Sequence, residues 1–163
     1  IEAHTAPAAV PSALVGVEGN GWSQVTAELS LERSGPERYL SSMALLLELI
    51  RYARTAPNQR VNDLVARLAS DIWTLRLMSA TVATKLSRGE DPAMEATMVK
   101  DLGNTLEQAI PELVQAAVDV DPSGPEPLGL VMGHLLQVSP SFSLRGGTRE
   151  ILKGIIARGL GLR

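Results

Sequence analysis

The chain has 163 residues, of which 45% are hydrophobic, 20% charged and only 3% aromatic, and its net charge is −3 at pH 7. This length suffices for one domain with a real core, and the aliphatic composition favours helix-on-helix packing over a β-sandwich. The charge gives no electrostatic reason to expect nucleic acid or an anionic membrane as a partner. The lack of cysteine excludes disulfides and thiol chemistry, and His4 and His134 have no ligand-spaced partners, so no metal site is predicted. No apolar run reaches the roughly 20 residues of a membrane span and no secretory leader is present, so we expect a cytoplasmic protein.

The first 21 residues differ in amino-acid composition from the rest of the chain. They are rich in Ala, Pro and Val, and Pro7, Pro11 and the β-branched valines oppose a helix. The segment predicts an extended arm that ends in a glycine-rich turn. We therefore expect residues 1–21 to be the tail of a preceding β-domain with a linker, and residues 22–163 to form a helical domain.

Apolar residues at helical spacing dominate the remainder of the chain. The pattern predicts helices over residues 22–33, 36–54, 61–87, 92–118 and 126–137, then a polar loop over 139–144 and a short last helix. Pro111 should kink or split the fourth helix, and Trp22 and Trp73 should lie in the core or at an interface. Long amphipathic helices joined by short loops predict an all-α, antiparallel, up-and-down bundle.

The most informative stretch lies near the end of the chain. Gly146, Gly147 and Thr148 form a turn that runs directly into an amphipathic helix with Ile151, Leu152, Ile155 and Ile156 on one side. A glycine turn at a helix N-terminus leaves backbone N–H groups free, which suits an anionic or acceptor-rich ligand. The alternative interpretation is a helix entry that needs only the conformational freedom of glycine.

Four features together resemble the C-terminal domain of acyl-CoA dehydrogenases. They are the segment Val15 to Trp22, the Leu31-Glu32-Arg33 motif, the order and lengths of the helices, and the Gly-Gly-Thr-Arg-Glu-Ile stretch from Gly146 to Ile151. The resemblance implies the helical bundle of that family, in a protein that also has an N-terminal helical domain and a middle β-domain. It also implies a homo- or hetero-oligomer, a dimer or tetramer assembled through this bundle.

The family's reaction, as the resemblance implies it, is the flavin-dependent α,β-dehydrogenation of an acyl-CoA in fatty acid and lipid metabolism. FAD is the cofactor, and an electron-transferring flavoprotein accepts the electrons. The chemistry needs a carboxylate base in a poorly solvated pocket and hydrogen bonds that polarise the thioester carbonyl.

The resemblance also suggests which residue is the base. Many relatives carry it as a glutamate immediately before the Gly-Thr pair, where this chain has Gly146. Another branch carries it on the first bundle helix in a Leu-x-Glu-Arg context, which Glu32 matches, and Gly146 would leave room for its carboxylate. Glu37, followed by Arg38, is the main competitor. The simpler interpretation of Glu32 is a solvated helix carboxylate paired with an arginine.

Further site residues follow from the same resemblance. Gly146 and Arg33 are expected to bind the substrate. Flavin contacts are expected from four residues: Arg54, Gly147, Thr148 and Glu150. As a candidate catalyst, Glu150 is instead better explained as a charge that the helix N-terminus favours.

Two flavin-contacting segments of the family differ in this chain. Arg54 is not followed by the family's Phe-Gly, and residues 118–122 lack its Gln-x-x-Gly-Gly. Both segments would bind flavin across a subunit interface. The alternative function is therefore a non-catalytic partner subunit of a heteromeric acyl-CoA dehydrogenase, acting as an assembly module. A third possibility is a flavin-dependent oxidase or nitroalkane-type relative on the same fold.

Overall fold

The computed structural model describes residues 14–162 of the chain, and in this range the regular secondary structure is all helical. The antiparallel bundle expected from the sequence is confirmed. The α-helices of the described range are α1 (Gly21–Ser34), α2 (Met43–Thr55), α3 (Gln59–Ser87), α4 (Ala93–Ala117), α5 (Pro127–Val138) and α6 (Arg149–Gly159). Most of the predicted arm lies outside the described residues, and residues 14–20 are exposed and irregular.

Helix α4 is the centre of the bundle, because α1, α3, α5 and α6 all pack against it. The larger core cluster joins α2, α3, α4 and α5 around Leu45, Leu49, Leu68, Ile110 and Met132, all of them fully buried. Each such side chain stabilises the fold by about 1.5–3 kcal/mol relative to an exposed position. Packing against the central helix α4 is therefore what stabilises the bundle.

The second predicted helix is shorter than expected. Residues Pro36–Arg38 form one turn of 3-10 helix, and α2 begins only at Met43. The reason lies on α4, because the Ser41 backbone N–H donates to Glu107 Oε1 at 2.7 Å and Ser42 Oγ donates to the Glu107 carbonyl at 2.8 Å. The Ser41 bond takes the place of the backbone bond that would continue a helix from Pro36, and the Ser42 bond fixes the break against α4, so the prediction of one helix over 36–54 was wrong.

One smaller expectation is wrong and two others are narrowed. Helix α4 is not split at Pro111, which is buried among the core residues of an unbroken helix, so a kink is the part of that expectation that stays a prediction. Tertiary packing of this kind supplies most of a helix's stability and outweighs the single lost bond. Residues Ser139–Leu144 form a 3-10 helix instead of a loop. Trp22 and Trp73 are 81% and 56% exposed, so neither is a core residue and a position at an interface stays the prediction.

No helix within residues 14–162 is both long enough and apolar enough to cross a membrane.

Candidate functional site

The glycine turn between the Ser139–Leu144 segment and α6 has a backbone that requires glycine. Gly146 has φ of +68° and Gly147 has φ of +107°, a region that side chains disfavour. Within residues 14–162, neither backbone N–H donates a hydrogen bond to another described group. The turn thus presents two free donors beside the N-terminus of α6, where Thr148 is the N-cap.

The Leu-x-Glu-Arg motif of α1 lies directly against this turn. A Cβ atom added to Gly146 would lie 3.4 Å from Glu32 Oε1. Arg33 Nε donates to the Gly146 carbonyl at 3.1 Å, and its Nη1 lies 3.5 Å from Thr97 Oγ1 on α4. Burial lowers the pKa of the Arg33 guanidinium, and the charge of Glu32 opposes this effect. Two motifs more than a hundred residues apart in sequence therefore form one site.

Glu32 is held in place by an arginine. Arg38 Nη2 lies 2.6 Å from Glu32 Oε1, and Arg38 Nε donates to the Glu32 carbonyl at 2.9 Å. The Arg38 side chain is only 10% exposed, whereas that of Glu32 is 38% exposed. Glu37 is 55% exposed and lies 3.8 Å from Arg38 Nε on its outer side. Of the two candidate glutamates, Glu32 is thus the one beside the turn.

A row of buried polar side chains on α4 lies beneath the turn. Lys100, Asn104 and Glu107 are all fully buried. Lys100 Nζ donates to Asn104 Oδ1 and, at 3.3 Å, to the Phe142 carbonyl. Arg145 Nη2 lies 3.0 Å from Glu107 Oε2, which pairs the buried carboxylate. Asn104 Nδ2 is the one buried side-chain N or O atom of the described part without a hydrogen-bond partner.

Sequence reasoning missed this row, although the sequence carries a signal for it. Lys100, Asn104 and Glu107 recur at helical spacing, so they share one face of α4. The more apolar face, which includes Leu102, was expected to be the buried one, yet Leu102 is 47% exposed. A polar row at i, i+4 and i+7 on one face of a helix is the pattern that would have revealed it.

An open cavity of about 490 Å³ borders the same region. It lies between α2 and α5, and Phe142 and Arg145 form part of its wall together with Ser41 and His134. Its remaining walls are aliphatic. Arg145 thus lies between the buried Glu107 and this cavity.

The chain matches the family model of the acyl-CoA dehydrogenase C-terminal domain over residues 19–161. It belongs to the acyl-CoA dehydrogenase family. Enzymes of this family are FAD-dependent oxidoreductases that act on acyl-CoA. No curated protein matches the chain in a direct sequence comparison.

Two further predicted residues of this dehydrogenase domain, Arg54 and Glu150, form no hydrogen bond or ion pair with Glu32. Arg54 is exposed in the last turn of α2, and its side chain bonds to no other described residue. Glu150 is exposed on α6, and its pKa is lowered by a hydrogen bond from its own backbone N–H and then by the Thr148 hydroxyl. This environment is that of a helix N-terminal charge. No cluster of potential metal ligands exists among residues 14–162.

Burial, and after it the neighbouring charges of Arg38 and Arg145, lower the pKa of Lys100 to about 8, although the charges of Glu107 and Glu32 act in the opposite direction. Between this value and the ordinary lysine pKa of about 10.4, the unfolded chain still binds a proton that the folded chain has released. Rising pH therefore favours the folded state over this window.

We expect Lys100→Met to remove this pH dependence. Relative to the variant, the wild-type free energy of unfolding should rise between pH 8 and about 10.4, by up to about 1.4 kcal/mol per pH unit. Urea unfolding of both proteins at half-unit pH steps measures the difference between their free energies of unfolding. The contributions of all other titrating groups cancel in this difference. Parallel curves for the two proteins would contradict the prediction.

Proposed function

We propose that this domain is part of an enzyme that dehydrogenates an acyl-CoA between its α- and β-carbons, with Glu32 as the base. The position of Glu32 Oε1, 3.4 Å from where a side chain at residue 146 would begin, carries the proposal. A carboxylate from α1 thus reaches the place from which a glutamate at residue 146 would extend. In this proposal the base lies on α1, which faces the turn, and not in the turn itself.

The surrounding groups suit proton abstraction from a thioester. Removal of the α-proton develops negative charge on the thioester oxygen, and a free backbone N–H at Gly146 is a suitable donor to that oxygen. Arg33 binds the Gly146 carbonyl and so fixes the orientation of the turn. Arg38 holds the Glu32 carboxylate, which orients the base before the substrate arrives.

The backbone of the turn also suits a contact with part of a flavin. A Cβ on Gly147 would make only ordinary contacts with Leu152 and Arg33, so glycine is needed here for its φ of +107°, and the free N–H of this backbone suits a flat, acceptor-rich ring. When bound, FAD supplies the acceptor for the β-hydride. Gly147 and the exposed Thr148 would hold it, with Glu150 nearby on α6. The exposed Arg54 would contact flavin only from a neighbouring subunit of a dimer or tetramer.

The proposal also includes an electron acceptor and a second domain. An electron-transferring flavoprotein would reoxidise the enzyme, and residues 1–21 would join this bundle to a middle β-domain. The substrate's acyl group would then be enclosed between the two domains.

The test uses the full-length protein, purified with any partner subunit. We expect a flavin absorbance spectrum that bleaches when saturated acyl-CoA substrates are added without oxygen. The corresponding 2-enoyl-CoA compounds, which already carry the double bond, serve as controls and should not bleach it. A bound flavin that no acyl-CoA in a series of chain lengths and branched or ring-bearing acyl groups reduces would contradict the proposal.

The missing Phe-Gly and Gln-x-x-Gly-Gly segments favour one alternative, the non-catalytic partner subunit. In that case the subunit purified alone would bind no flavin, and the complex would keep its activity when Glu32 is replaced. Rapid reoxidation of the bleached flavin by oxygen, without an electron-transferring flavoprotein, would instead indicate an oxidase.

A further inference from the structure

Lys100 connects helix α4 to the first residue of the glycine turn and to the segment that leads into it. Its ammonium donates to the carbonyl of Phe142, which lies in the 3-10 segment leading into the turn. Its Cε lies 3.5 Å from where a Cβ on Gly146 would be. Arg145 Nε also approaches the Phe142 carbonyl, at 3.5 Å, but that contact is local along the chain. The lysine is thus a long-range connection between the central helix and the turn, beside the Arg145–Glu107 and Arg149–Asp101 pairs that join α4 to the residues on either side of it.

The position is unusual for a lysine. Its side chain is fully buried, and an ammonium without solvent normally requires a carboxylate partner. Here the direct partners are neutral oxygens, those of Asn104 and Phe142. A positive charge that is fixed but not neutralised by direct contact extends its field to its surroundings, and the Gly146 backbone is one of its nearest neighbours.

Charged groups face Lys100 from every side of the site. Glu32 lies on α1, Arg38 on the Pro36–Arg38 segment, Arg145 beside the turn and Glu107 on α4 itself. The two arginines and the burial disfavour the ammonium, and the two glutamates favour it. Because the pKa is lowered to about 8, the lysine loses its charge at mildly alkaline pH.

We propose that Lys100 is a positioning residue for the reaction: it fixes the Gly146 turn and places a buried positive charge beside the point where the thioester oxygen becomes negative. This inference rests on the proposed function of Glu32 and Gly146. A fixed charge in a water-excluded site stabilises developing negative charge without reorganisation. The charge acts through the turn and does not touch the substrate.

The proposal predicts that stability and activity change in opposite directions as the pH rises above 8. Above pH 8 the loss of the buried charge stabilises the fold, as derived above, but removes the electrostatic assistance. A purely structural lysine would slow turnover only when the fold weakens. We therefore expect kcat of the full-length wild-type enzyme to fall as pH rises past about 8, while its resistance to urea increases.

Two variants at the position test the charge. Lys100→Met should lower kcat roughly 10²-fold at pH 7, change KM far less, and abolish the decline past pH 8. Lys100→Arg carries a charge that does not titrate in this range, so it should restore part of kcat and also lack the decline. Lys85→Met is the matched control, because Lys85 is paired with Glu95 away from the turn and should keep the wild-type profile.

A measurement without turnover tests the connection itself. In hydrogen–deuterium exchange of the full-length protein at pH 7, peptides covering residues 142–149 should exchange faster in Lys100→Met than in wild type or Lys85→Met. Peptides from α2 and α3 should be unchanged, which also shows that the variant is folded. If Lys100→Met is unfolded, the wild-type and Lys100→Arg pH profiles decide instead.

The outcomes separate this inference from the proposed function. If no acyl-CoA reduces the flavin, the proposed function fails, and unchanged exchange over residues 142–149 then overturns the lysine's role as well. If acyl-CoA is dehydrogenated but wild-type kcat stays constant past pH 8, or the Lys100→Arg profile declines like that of wild type, the electrostatic role is wrong.

Discussion

Replacing Glu32 by Gln should abolish reduction of the flavin by acyl-CoA while leaving the flavin bound. The amide cannot accept the α-proton, and a general base contributes about 10²–10⁴-fold to the rate. The change is nearly isosteric, so the carboxamide still fits beside Gly146. The fold should survive, because Arg38 keeps its bond to the Glu32 carbonyl, and losing an ion pair whose carboxylate is 38% exposed costs about 1 kcal/mol or less.

Two matched substitutions make this result specific. Glu37→Gln removes the exposed carboxylate on the outer side of Arg38, and we expect its rate to stay within about twofold of wild type, since surface ion pairs contribute little. Glu48→Gln breaks the Glu48–Arg51 pair of α2 and controls for the loss of a glutamate–arginine pair as such. Single-turnover bleaching of the flavin measures all three. Equal loss in Glu37→Gln, or full activity in Glu32→Gln, would refute the assignment of the base.

Local sequence patterns were sufficient for most helices but not for the break before α2. The apolar spacing of residues 61–87 predicts α3 to within two residues of its observed start. The same reasoning failed after Pro36, because the backbone N–H of Ser41 bonds to Glu107, 66 residues further along the chain. A local pattern contains no information about such a distant partner.

The family motifs were enough to select Glu32 and Gly146, which prove to be neighbours, but they did not reveal the buried polar residues of α4. Glu32 and Gly146 were chosen from the family resemblance, and the fold brings them together. Lys100 and Glu107 were overlooked because charged residues are normally assigned to the surface. Helix α4 is enclosed by its neighbours, so residues on several of its faces are buried whatever their polarity.

The exposure of the apolar side chains of α1 was likewise not predictable from their spacing in the sequence. Trp22, Val25 and Leu29 recur at helical intervals, so they share one face of the helix. In the bundle, Trp22 is 81% exposed and Val25 is 52% exposed. Periodicity tells which residues share a face, but whether that face meets another helix depends on the tertiary arrangement.

Gly103→Ala should destabilise the protein even though alanine is the better helix former. Gly103 lies inside α4, where alanine would be favoured by about 1 kcal/mol on propensity alone. Its added Cβ, however, would lie 2.3 Å from the Arg38 carbonyl oxygen and 3.1 Å from Tyr39 Cβ. Because the first contact is with backbone, the Pro36–Arg38 segment must move away from α4, and such overpacking costs about 1–3 kcal/mol.

The same displacement should impair the reaction, because Arg38 would no longer hold the Glu32 carboxylate. Gly154→Ala is the matched control: Gly154 is a helical glycine of α6 whose added Cβ would meet nothing within 4 Å. It should raise the stability by up to about 1 kcal/mol and leave the rate unchanged. Thermal unfolding and single-turnover bleaching of both full-length variants measure the two effects. A Gly103→Ala protein as stable and as active as Gly154→Ala would show that the close approach of Arg38 to α4 does not position the base.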